Sequence, residues 1–97
     1  PIFWTARRIK GAWHLRQGEY AKADFELKLV TKRAFAKNDP NYAFRKEAWL
    51  LFGDTLKNLN RIVDAKAAYK EALNIEKCAT VENRLAELNT TKLQAAL

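Results

Sequence analysis

The chain has 97 residues, room for one domain with a modest core, and no run of about 18 apolar residues, so no membrane-spanning helix is expected. Its formal charge of +7 is concentrated in the first half, where residues 1–48 hold 11 Lys and Arg against 5 Asp and Glu, while residues 49–97 hold 7 against 6. A field of this sign favours an acidic protein surface, a nucleic acid or an anionic membrane, or simply keeps a helical domain in solution.

Three glycines and two prolines punctuate a chain rich in Ala, Leu, Lys and Glu, so helices rather than strands are expected, about five of them. The first is predicted over residues 3–16 and closes at Gln17-Gly18, where glycine can adopt the left-handed conformation. The second is predicted over residues 19–37 and stops at Asn38-Asp39-Pro40, where Asp39 can cap and Pro40 can open the next helix. The third covers residues 40–57, and Asn58-Leu59-Asn60 makes a short turn into a fourth over residues 62–75. After a break at residues 76–79, Thr80 can cap a fifth helix reaching residue 96, with Val81, Leu85 and Leu88 on one stripe. Short connections make antiparallel hairpins of the first two pairs, with the fifth helix as a lid.

Spacing within the third and fourth helices is the most informative feature. Trp49, Phe52, Gly53 and Leu56 fall at i, i+3, i+4 and i+7, and Ala65, Ala68, Tyr69 and Ala72 repeat that spacing. Small residues at Gly53, Ala65 and Ala72 allow close backbone approach, with Trp49 and Tyr69 filling the space beside them.

At these positions residues 46–76 resemble a tetratricopeptide repeat, with Ala48, Trp49, Gly53, Ala65, Tyr69, Ala72 and Leu73 as its motif has them. Phe52 replaces the motif's leucine, Leu56 its tyrosine, and Lys77 its closing proline. A weaker copy upstream has Gly11, Gly18, Tyr20, Ala23, Leu27 and Val30, with Arg7 in place of the tryptophan. The copies are offset by 42 residues (Gly11 to Gly53, Ala23 to Ala65) against about 34 in the ordinary repeat, so the second helix or its exit loop must be longer. The resemblance implies an all-α fold of helical hairpins stacked as a short right-handed solenoid. One repeat would cover about residues 3–38, the next residues 40–77, and a capping helix residues 80–96. Such stacks usually need about three repeats, which points to a neighbour, an oligomer or a piece of a longer repeat protein.

Parts for catalysis are missing. There is no serine, and the single histidine, His14, and single cysteine, Cys78, fall on different predicted helices. His14 reads as a packing residue, Cys78 as a buried inert thiol, and Asp54 and Asp64 as surface charges. The three glycines are too dispersed for a phosphate loop, no metal-ligand spacing is present, and no cofactor is expected. A lone cysteine forms no internal disulfide, consistent with a reducing, cytoplasmic setting. The apolar opening Pro1-Ile2-Phe3-Trp4 is too short for a signal-peptide core, and the absence of methionine even at the start points to a processed chain or a fragment.

The resemblance implies a protein-interaction module whose first helices line a concave groove for a partner peptide or helix. That groove would be lined by Thr5, Arg8, Ala12, Leu15 and Arg16 from one copy and Glu47, Leu50, Asp54, Lys57 and Asn58 from the other. Family members that hold a chaperone's C-terminal carboxylate use a lysine and an asparagine there. Arg8 and Ala12 occupy those places, so that activity is not expected. A second candidate surface, for anions or nucleic acid, comprises Lys28, Lys32, Arg33 and Lys37 with Arg45 and Lys46. Phe25, Phe35 and Phe44 are interleaved with it and are assigned to core or repeat contacts. The remaining alternative is a structural segment of a larger assembly that associates through its open ends.

Overall fold

The computed structural model describes the backbone of residues 2–96 and the side chains of residues 2–90. Five α-helices, α1 (Ile2–Arg16), α2 (Tyr20–Lys32), α3 (Arg45–Asn58), α4 (Ile62–Ile75) and α5 (Ala79–Ala96), are joined by short connections and one 3₁₀ helix, Pro40–Phe44. No strand occurs among the described residues. Each helix packs on its chain neighbour, α1 on α2, α2 on α3, α3 on α4 and α4 on α5, in a body of 47 × 28 × 17 Å.

Two of these pairs are antiparallel hairpins closed by the same turn. Gly18 follows α1 with φ +76°, and Asn60 follows α3 with φ +63°. At the first turn the Gly18 amide donates to Leu15 O (3.1 Å) and the Glu19 amide to His14 O (2.9 Å). At the second the Asn60 amide donates to Lys57 O (3.0 Å) and the Arg61 amide to Leu56 O (2.9 Å). Glycine and asparagine are the residues that tolerate the left-handed conformation such a helix end requires. The two turns are 42 residues apart (60 − 18), the offset expected from the glycines.

Within each hairpin a glycine on the first helix lies against a large side chain on the second. A Cβ on Gly53 would come within 2.5 Å of Tyr69 Cε1, and one on Gly11 within 2.8 Å of Leu27 Cγ and Cδ2. Ala23 and Leu27 from α2, Phe52 and Leu56 from α3, and Ala65, Ala68, Tyr69 and Ala72 from α4 form one core with Val81 and Leu88 of α5. Fully burying a side chain of the size of Leu27 or Leu56 stabilises by about 1.5–3 kcal/mol. The small residues matter differently, because Ala65 and Ala72, both without exposed surface, set the distance at which α4 packs.

Three local features differ from expectation. Helix α2 ends at Lys32 instead of residue 37, and Arg33 is extended (φ −78°, ψ 132°). The β-branched pair Val30-Thr31 propagates helix weakly, while Arg33 lies 4.9 Å over the Trp4 ring and Phe35 packs edge-on to Trp4 at 6.1 Å. Contacts with α1 thus pull the chain out of the helix, and the extra residues of this hairpin fall in its exit loop. Asp39 does cap, its carboxylate accepting from the Asn41 amide at 2.8 Å with Pro40 at the first position, but it opens the 3₁₀ helix rather than α3. At α5, Thr80 falls inside the first turn and Cys78 precedes the helix, its carbonyl accepting from the Glu82 amide at 3.0 Å. Cys78 is half-buried rather than buried, and the Val81 backbone N–H holds its thiol below the ordinary range.

Candidate binding surfaces

The first-helix residues fall into two groups. Thr5, Arg8 and Asp54 are engaged within the molecule. The Asn41 amide donates to the Thr5 hydroxyl (3.2 Å), and Arg8 Nε donates to Asn41 Oδ1 (3.3 Å) while its guanidinium stacks 3.8 Å over Phe44. These contacts fasten α1 to the 3₁₀ helix. Asn41, the hub of these contacts, is buried, as is Asp54. Ala12, Leu15, Leu50 and Lys57 are half-buried, with Leu15 and Leu50 packed against the core, while Arg16, Glu47 and Asn58 are exposed. The Asn58 side chain donates to Asp54 O at 2.8 Å.

Asp54 was expected to be a surface charge, but only 9% of it is exposed. Its carboxylate accepts from the Tyr69 hydroxyl at 2.5 Å and pairs with Arg84 of α5. Burial, followed by the bond to Asp54, raises the Tyr69 phenol far above its usual pKa, so it stays a donor throughout the accessible pH range. This triad ties α3, α4 and α5 together.

The first hairpin has polar contacts of its own. Arg7, in the tryptophan-equivalent place, donates to the buried Glu26 at 3.0 Å, with Lys10 3.8 Å from the same carboxylate. His14 is 8% exposed and its Nδ1 lies 3.1 Å from Glu19. That hydrogen bond, then one from Lys22, holds the Glu19 carboxyl below its ordinary value. Among the described residues no cluster of His, Cys, Asp and Glu could hold a metal ion.

The second candidate surface is not one stripe. Lys28 and Lys32 are on α2, Arg33 caps it, and Lys37 lies in the loop. Arg45 Nε donates to Tyr42 O (2.9 Å) with its guanidinium 3.7 Å over the Tyr42 ring, and Lys46 pairs with Glu76. Neither Lys28 nor Lys32 has a carboxylate within ion-pair distance among the described side chains. The interleaved phenylalanines lie outside the core: Phe25 is 62% exposed, Phe44 is 38% exposed, and Phe35 packs on Trp4.

Between α2 and α4 runs a valley that the sequence did not announce. Two cavities of about 290 and 360 Å3 adjoin there, sharing Thr31, Trp49 and Glu71. One end is edged by Arg33, Phe35, Phe44, Arg45 and Ile75, the other by Lys28, Lys32, Arg61, Asp64 and Ala67. Trp49 carried a packing role in the helical pattern, yet it is only half-buried and forms the valley floor with Phe52 and Leu56. Arg61 bridges the hairpins at the valley's edge, 3.7 Å from Asp24 of α2 and 2.8 Å from Asp64 of α4. Compared with family models, curated proteins and solved structures, the chain matches none of them.

Proposed function

We propose that the chain is a protein-interaction module, a tetratricopeptide-like stack of helical hairpins that holds a segment of another protein and makes or breaks no bond. The observation that carries this reading is the equivalence of the hairpins. The same turn and the same glycine-on-large-residue contact recur 42 residues apart, as expected of a duplicated unit. Support also comes from the capping helix, since α5 begins 34 residues after α3 (79 − 45), the ordinary repeat length. In this reading Arg16, Glu47, Leu50 and Lys57 contact the partner on the first-helix face, and Thr5, Arg8 and Asp54 support that face from behind. The test is affinity capture with the Arg16→Glu/Lys57→Glu double variant. Partners captured by the wild type should be lost while helical circular dichroism is unchanged. Unchanged capture removes this face from the function.

A nucleic-acid reading has one observation in its favour, Lys28 and Lys32, without an ion pair among the described side chains, beside the half-buried Trp49. Against it, Lys46 is already paired with Glu76, and the basic residues do not form one stripe. This reading requires RNA or DNA affinity that falls steeply with salt, and a flat titration at low salt removes it.

A further inference from the structure

We infer that the valley between α2 and α4 is a second docking site, for an acidic peptide segment carrying one bulky apolar side chain flanked by carboxylates. It goes beyond the first-helix face, because its walls come from the second helix of each hairpin.

Shape and charge argue for this occupant together. The shared middle is the ring of Trp49 with Thr31, and the floor continues as Phe52 and Leu56, an apolar trough able to take a leucine or aromatic side chain. Positive charge lies at both ends. Lys28 and Lys32 stand at one end and Arg33 and Arg45, stacked on rings, at the other, none of the four paired with a carboxylate among the described side chains. The charged lining comprises five cations (Lys28, Lys32, Arg33, Arg45, Arg61) and two acids (Asp64, Glu71), a net of +3. Asp64 is neutralised by Arg61, so Glu71 is the acid left, and it lies in the shared middle. A carboxylate at the centre of the ligand would meet Glu71, whereas carboxylates on either side of an apolar anchor would meet the lysines and arginines. The expected order is therefore acid, apolar, acid.

The test is selection of a random-peptide display library on the full chain, followed by anisotropy titration of the leading peptide. Enriched peptides should carry one Leu, Ile, Phe or Trp between acidic residues. Lys28→Glu/Lys32→Glu should weaken the leading peptide by about tenfold or more, and Ala67→Trp, at an exposed position on the valley wall, should weaken it with no change of charge. Arg16→Glu/Lys57→Glu should leave it unchanged, so failure of the first-helix face and failure of the valley give different results. Enrichment of basic or neutral peptides, equal affinity when the apolar anchor is replaced by serine, or indifference to both valley variants overturns the inference. Tighter binding of a thymidine oligonucleotide, abolished by the same lysine reversal, also overturns it and assigns the valley to nucleic acid.

Discussion

The two hairpins share a turn and a backbone approach but fill the space between their helices differently. In α3–α4 the glycine contact is closed by the rigid Tyr69 ring, held by Asp54, and the surroundings are alanines and large apolar side chains. In α1–α2 the same contact is closed by the flexible Leu27, and the neighbouring places hold ion-paired Arg7 and Glu26. Ile9, Trp13 and Phe25 of this hairpin stay exposed. The difference teaches that turn and small residue set the hairpin geometry, while the large residue sets how stiffly it is held. Exposed apolar side chains also gather on the first hairpin, although Val63 of α4 is exposed as well.

Several substitutions can break or sharpen that contrast. The largest expected effect is Gly53→Leu, which places atoms where Tyr69 already is. A loss of about 3 kcal/mol is expected, read by chemical denaturation, against a smaller loss for Gly11→Ala, whose Cβ meets the buried Leu27 at 2.8 Å while helix propensity recovers about 1 kcal/mol. Next is Arg7→Met, which leaves the Glu26 carboxylate buried with only the longer Lys10 contact. A loss of about 2 kcal/mol is expected, lowering Tm by about 4–8 °C per kcal/mol for a domain of this size. Tyr69→Phe removes one donor from Asp54 but keeps the ring, so a smaller loss of about 1 kcal/mol is expected.

The effect of acid is smaller still. His14 and Lys22 depress the Glu19 carboxyl, and Lys46 depresses that of Glu76. Because both folded pKa values lie below the ordinary 4.5, their contribution is complete above that pH and disappears as the pH falls through the folded values. Thermal melts in acid should therefore show a drop that Glu19→Gln reduces in the first hairpin and Glu76→Gln reduces at the α3–α5 end. Both groups are exposed enough for salt to weaken the effect.

Much of the architecture was legible from the chain because it rests on residues with few alternatives. Gly18 closes α1, Asp39-Pro40 opens a helix, and the spacing of Phe52, Gly53, Leu56, Ala65 and Tyr69 marks one face of each helix. The exit of α2 was not legible, because Arg33 and Phe35 leave the helix for Trp4, a residue about thirty positions away. Asp54 was misread for the same reason. Its partners lie on α4 and α5, and no local pattern distinguishes a carboxylate awaiting a tyrosine hydroxyl from a solvated one. The valley was missed because Trp49 satisfied the helical pattern fully, and periodicity does not report that part of its surface lines an open cavity.

The equivalence of the hairpins is tested most directly by converting one contact into the other. Gly53→Ala should be measured in the wild type and in Tyr69→Leu, which gives the second hairpin the residue that Leu27 supplies in the first. If the glycines hold equivalent places, the cost of Gly53→Ala should fall in the Tyr69→Leu background to that of Gly11→Ala, a coupling of about 1 kcal/mol or more. Equal cost of Gly53→Ala in both backgrounds would contradict it.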